Sequence, residues 1–163
     1  MTRPSYFFDI DSPEQLFDLL KIVASSFTSL QGKRTQDLLF LVFGLTHLRE
    51  WIAPGYDPKK KPASSEEQFY EKIFGLTEFN ILRALSNRSK HMSQSKPAMG
   101  ALYGAKISDW PDINSVTNVS RGPPIAYFVD GHDIEDVIRA VIRFYDENWF
   151  QPRGGRGSPR RVG

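Results

Sequence analysis

Cysteine is absent from this chain. That excludes disulfides, thiolate nucleophiles, zinc ribbons and iron–sulfur sites. Histidine is scarce: His47, His91 and His132 are the only three, and no two form a His-Glu-x-x-His pair, so a metal centre would have to be assembled from scattered ligands. No apolar run approaches the roughly 20 residues that span a bilayer. The first residues lack the apolar stretch of a secretory signal, because Tyr6, Phe7 and Phe8 are followed at once by Asp9 and Asp11. Dinucleotide, phosphate-loop, nucleophile-elbow and calcium-loop patterns are all missing. The nearest glycine-rich stretch, Met99 to Gly104, has no Lys, Ser or Thr to hold a phosphate and its metal. These absences predict a cytoplasmic protein with no membrane contact, no metal and no cofactor.

Acid is missing from one place. The last twelve residues hold four arginines and no Asp or Glu. Taking those four from 21 cations leaves 17 against 19 acids, so the formal +2 turns to about −2 without the tail. The body is therefore not a uniformly basic nucleic-acid binder of the kind a whole-domain isoelectric point would flag. The tail, residues 152–163, cannot bury anything and is expected to be disordered. Its single Arg-Gly-Gly at Arg153 reads as a solubilising end or as a non-specific phosphate contact.

What is present is helical periodicity and many aromatics. The chain has 163 residues, enough for one domain with a sizeable core. Twelve phenylalanines point to a well-filled interior. Ser12, Pro13 and Gln15 make a helix start, with a cap, a proline at the first helical position and a side chain reaching back. Leu16, Leu19, Leu20, Val23, Phe27 and Leu30 then recur on one face, and the helix should end near Gln31 and Gly32. A second helix over about 35–52 is apolar nearly all round and belongs in the middle of a bundle. In it Gly44 predicts close approach of a neighbouring helix. Phe40, Gly44, His47 and Trp51 share a stripe that would put His47 at or near an inter-helix contact.

Residues 53–65 carry loop signals throughout, including three prolines and the triplet Lys59 to Lys61. Ser65 to Gln68 repeats the capping-box logic and opens a long third helix, from about Glu66 to His91 or Met92, bent at Gly75. From Ser93 to Gly131 short β-branched and aromatic runs alternate with Gly and Pro, which predicts a small antiparallel sheet or an irregular hairpin packed on the helices. Asp130 and Gly131 close its last strand. Asp133 caps a fourth helix, with Asp136 completing a box-like pair, and Ile134, Val137, Ile138, Val141, Ile142, Tyr145 and Trp149 form its apolar side. The expected architecture is mainly α: a four-helix bundle over residues 1–151, with a β-hairpin insertion at about 101–130 between helices three and four.

The chemistry is concentrated at the end of the third helix. At about 100° per residue, Arg83, Asn87, Lys90 and His91 fall within about a quarter of the circumference, opposite Leu82, Leu85 and Ser89. Two cations, an amide and an imidazole on one side suit a polyanion or a phosphodiester. Metal-free RNA cleavage needs one group that moves a proton near neutral pH and one cation for the phosphorane charge. His91 fits the first role, Arg83 or Lys90 the second, and Asn87 can orient either. A structural alternative stands beside this: basic residues commonly decorate helix ends, where they meet the terminal carbonyls. In that case Arg83 pairs with Glu78 or Asp37 and Asn87 satisfies a loop backbone. Carboxylate pairs such as Asp109 with Asp112, or Glu66 with Glu67, are better explained by capping than by acid–base work.

Residues Leu82 to Met92, Leu-Arg-Ala-Leu-Ser-Asn-Arg-Ser-Lys-His-Met, resemble an Asn-x-x-Lys-His signature of bacterial and phage-type helical proteins that are in turn similar to the HEPN superfamily. The run Thr46 to Trp51, with His47 ahead of an aromatic, fits that pattern, as does Val129 to Asp133 leading into a closing helix with Trp149 at its end. The superfamily's own motif spaces Arg and His more closely than the seven residues between Arg83 and His91, and more widely than the two between Arg88 and His91. The resemblance implies a helical bundle, often a homodimer, and metal-independent ribonuclease or RNA-binding action. It implies His91, Arg83 and Asn87 in the catalytic roles and Lys90, Arg88 and His47 as phosphate or RNA contacts. Two further expectations compete: a non-enzymatic module that docks a partner protein, and a small-molecule pocket lined by Phe40, His47 and Trp51.

Overall fold

The structure, a computed structural model, describes residues 9–91, 99–103 and 124–151, and for 89–91 the backbone alone. Among them run five α-helices: α1 Pro13–Ser29, α2 Thr35–Ile52, α3 Ser65–Lys72, α4 Thr77–His91 and α5 Ile134–Tyr145. Three strands form one antiparallel sheet in the order β1-β2-β3, with β1 at Met99–Leu102, β2 at Ala126–Val129 and β3 at His132–Asp133. The fold is mainly helical with a small sheet. No helix among the described residues is long and apolar enough to cross a membrane. The arginine-rich tail and the predicted strand segments around Ile107 and Ile113 to Val119 lie outside the described residues.

The third predicted helix is two helices. A 3₁₀ turn at Ile73–Gly75 and an extended Leu76 separate α3 from α4, so the bend expected at Gly75 is a break. Asn80 locks it by donating from Nδ2 to the carbonyls of Phe74, at 2.7 Å, and Leu76. The cap of α3 is Ser64 rather than Ser65: Ser64 Oγ accepts from Glu67 N–H while the Glu67 carboxylate accepts from Ser64 N–H. The Ser-x-x-Glu spacing required by the reciprocal box runs from 64 to 67. For α5, Asp133 is the cap, accepting from Glu135 N–H at 2.9 Å, but Asp136 stays on the surface near Arg139 and closes no box.

The core draws on all five helices and β2. Gly44 does mark a close approach: a Cβ there would lie 2.3 Å from Leu20 Cδ2, so α1 packs directly on the α2 backbone. The helix α2 is not covered all round, however. Leu38, Leu41, Val42, Leu45, Leu48, Arg49 and Ile52 face inward, while Leu39, Phe40 and His47 are exposed. Of the expected stripe, Gly44 meets α1 and Trp51 packs against the edge of the core, whereas Phe40 and His47 face outward. Tyr145, fully buried, pins α5 to α2 by donating its hydroxyl to the Leu45 carbonyl at 2.7 Å, and that burial pushes its phenol up from the usual tyrosine range. Beyond α5 a π-helical turn, Asp146–Phe150, brings Phe150 flat against Phe17 and Trp149 against Phe69.

The first helix ends at Ser29, earlier than the glycine signal at Gly32 predicted, because a lysine supplies the cap. Lys33 Nζ donates to the carbonyls of Phe27 and Leu30, both at 2.8 Å, and pairs with Glu135 at the start of α5. One buried ammonium therefore satisfies the open end of α1 and ties it to the acidic first turn of α5. The sheet attaches beside it, through Lys33 N–H on the Pro124 carbonyl and the Thr35 hydroxyl on that of Tyr127. Asp130 and Gly131, both at positive φ, do more than close a strand. They form the two-residue turn of a hairpin in which Val129 pairs with His132.

Two substitutions test this packing. Lys33→Met leaves helix carbonyls and Glu135 without their cation and should lower unfolding stability by about 2–4 kcal/mol in urea titrations. Gly44→Ala gains helix propensity, about 1 kcal/mol, but displaces a fully buried Leu20; overpacking dominates, for a net loss of about 1–2 kcal/mol by the same measurement.

Candidate functional site

The helix α4 presents the predicted polar side to solvent. Phe79, Leu82, Leu85 and Ser86 are buried, whereas Arg83 and Asn87, one turn apart, are both exposed. The alternative in which Arg83 is neutralised by a nearby carboxylate does not hold among the described residues. Asp37 pairs instead with Arg34 Nε at 2.7 Å, and no ion pair includes Arg83. What Arg83 does touch is the ring of Phe74, with its guanidinium carbon 5.1 Å from the centroid. An aromatic ring under a guanidinium holds the planar group in place while leaving its outer N–H groups available.

Sequence reasoning missed the residue beneath. Arg49 lies on the inward side of α2 and is only 5% exposed. Its guanidinium carbon is 4.1 Å from the ring centroids of both Tyr70 and Phe74, and 5.0 Å from that of Phe79. Three rings from α3, the 3₁₀ turn and α4 thus enclose one cation. Nε and Nη1 are buried without a hydrogen-bond partner, so ring faces are their only acceptors. Burial lowers the Arg49 pKa from the ordinary arginine value; the like charge of Arg83 pushes the same way, against Tyr70 and Tyr145. A signal was available: Arg49 stands four residues after Leu45 and three before Ile52, in phase with the apolar face, where a charge conflicts with the pattern.

The other candidates separate. Lys90 and His91 continue the backbone of α4 beyond Asn87, and their side chains lie outside the described residues. Arg88 is about 140° round the helix from Arg83, half-buried and engaged in a contact of its own, so it does not join the Arg83 side. His47 is exposed and its Nδ1 is 2.8 Å from Glu50 Oε2. Two residues before Arg49, it stands about 200° away around α2, on the side facing away from Phe74. Of the residues expected to line a small-molecule pocket, Phe40 and His47 are exposed and Trp51 is half-buried. A cavity of about 310 Å³ lies where α2 ends and α3 begins, lined by Ile52, Pro54, Tyr56, Ser64, Glu66 and Glu67 among others. Its Glu67 carboxylate is occupied in the capping box and Tyr56 donates to Glu71 at 3.0 Å. No group of three His, Asp or Glu among the described residues is arranged to hold a metal ion.

The arrangement offers an anion two things: exposed Arg83 and Asn87 as direct donors, and a second positive charge buried against the same ring. If Arg83 serves a ligand rather than the fold, Arg83→Ala should change stability by under about 1 kcal/mol, whereas Phe74→Ala, which removes the ring that both guanidiniums contact, should cost about 2–4 kcal/mol. Thermal and urea unfolding of the two variants check this. No family model matches the chain, and no curated protein and no solved structure matches it either.

Proposed function

We propose that this protein is a HEPN-like helical-bundle protein that binds RNA through the exposed side of α4. Arg83 holds a backbone phosphate and Asn87 donates or accepts beside it. Lys90 and His91, by their places on the helix, extend the same line of contacts. The observation that carries this reading is an exposed guanidinium, seated on Phe74, with no carboxylate partner among the described residues. A cation prepared in this way and left unneutralised suits a phosphate, which takes parallel N–H donors from arginine. Metal-independent cleavage belongs to the same reading, with His91 moving the proton and Arg83 stabilising the phosphorane.

Binding is read by fluorescence anisotropy with a labelled RNA oligonucleotide over a range of salt. Arg83→Ala should weaken affinity about tenfold and make the salt slope shallower by about one counterion. Cleavage is read by incubating wild type and His91→Ala with total RNA in EDTA, and only wild type should cut. Wild type that neither shifts nor cuts RNA would remove the nucleic-acid reading.

A second reading is favoured by a different observation. Ile22 is 67% exposed, and Leu39 and Phe40 are exposed on the outward side of α2. A protein-docking module, or a homodimer, would bury such residues. Light scattering across a concentration series distinguishes a dimer from a monomer that awaits a partner.

A further inference from the structure

We propose, building on the phosphate-binding reading of α4, that Arg49 is a positioning residue of the same site: a buried cation that adds positive potential behind Arg83 and holds Phe74 as its seat. The first argument is its place. The chain buries an arginine in the inward row of α2 while leaving Leu39 and Phe40 of the same helix exposed. For packing alone, an apolar side chain of similar volume would serve that position better, because a buried charge loses its hydration.

The second argument is the missing acid. Among the described residues neither Arg49 nor Arg83 has an ion pair, and the adjacent Glu50 is committed to His47 on the other side of α2. Structural buried arginines are ordinarily matched by carboxylates, as Lys33 is by Glu135 in this same protein. Here two guanidiniums converge on one ring, at 4.1 and 5.1 Å from its centroid, and carry like charge. That pair repels itself in isolation and is relieved by an external anion. Because Arg49 is out of water, its field reaches the surface with less screening than that of an exposed lysine. The three rings keep it there, so the charge stands ready before the ligand arrives. Arg49 touches no ligand. It acts through the ring it shares with Arg83 and through its potential.

The test uses the full chain, with folding verified by circular dichroism. A labelled RNA oligonucleotide is titrated at about 50 and about 300 mM KCl, where screening differs strongly. Arg49→Met, which keeps the volume and discards the charge, should bind about five- to tenfold more weakly at the lower salt, with a smaller deficit at the higher. Phe74→Leu, which keeps the charge but removes the seat, should also weaken binding, and combining it with Arg83→Ala should add little further loss. Folded Arg49→Met with wild-type affinity at low salt would show that Arg49 only packs, and an equal deficit at both salts would show a steric rather than an electrostatic role; either result overturns the proposal. Should Arg49→Met not fold, Phe74→Leu decides: wild-type affinity in that folded variant overturns it. If wild type itself binds no RNA while remaining folded, the α4 reading fails and this assignment falls with it.

Discussion

A guanidinium on the inward side of a core helix sets the terms for this end of the molecule. Arg49 cannot be left in an apolar interior without compensation, and among the described residues no carboxylate forms an ion pair with it. Aromatic faces surround it instead. Tyr70, Phe74 and Phe79 come from three successive pieces of chain, so enclosing the cation requires α3, the 3₁₀ turn and the start of α4 to converge at one point on α2. The break after α3 follows from that need. A continuous helix would fan residues 70, 74 and 79 along a single rod, while the tight turn lets them close around one group.

The rest of the fold is consistent with an inward row on α2 that each neighbour covers in its own way. The first helix approaches the bare backbone at Gly44. The last helix inserts Tyr145 and satisfies its hydroxyl on a carbonyl of α2. The sheet joins where Lys33 closes α1 and meets Glu135. The two buried cations solve the same desolvation problem by opposite means. Lys33 is matched with carbonyls and a carboxylate, and therefore reads as structure. Arg49 is surrounded by rings, and among the described residues it has no carboxylate in an ion pair, which is what singles it out for the proposed role beside Arg83.

Much of the local structure was legible. Pro13 behind Ser12, the periodic leucines of α1 and the apolar phase of α5 each identify an element, because capping and amphipathic periodicity are properties of neighbouring residues. Asp130 and Gly131 marked the end of a strand, but the turn they make into β3 was not expected, although that dipeptide tolerates the paired positive φ values a hairpin turn needs. Gly44 announced a helix contact because nothing else justifies glycine inside a helix. The exposure of Arg83 and Asn87 on one side of α4 also followed from spacing. The grouping of His47 with them did not survive, for its reach depends on how α2 is rotated against α4, and rotation is decided by what α2 buries.

What the sequence determined by itself, then, is which stretches are helical and, for α1, α4 and α5, which side is apolar, because those depend on interactions within about four residues. What only the tertiary structure decided is the company each charge keeps. Arg49 and Phe79 are thirty residues apart, and Lys33 and Glu135 are more than a hundred. Whether a cation meets a ring, a carbonyl or an acid is settled by packing between distant segments, and no local periodicity encodes that choice.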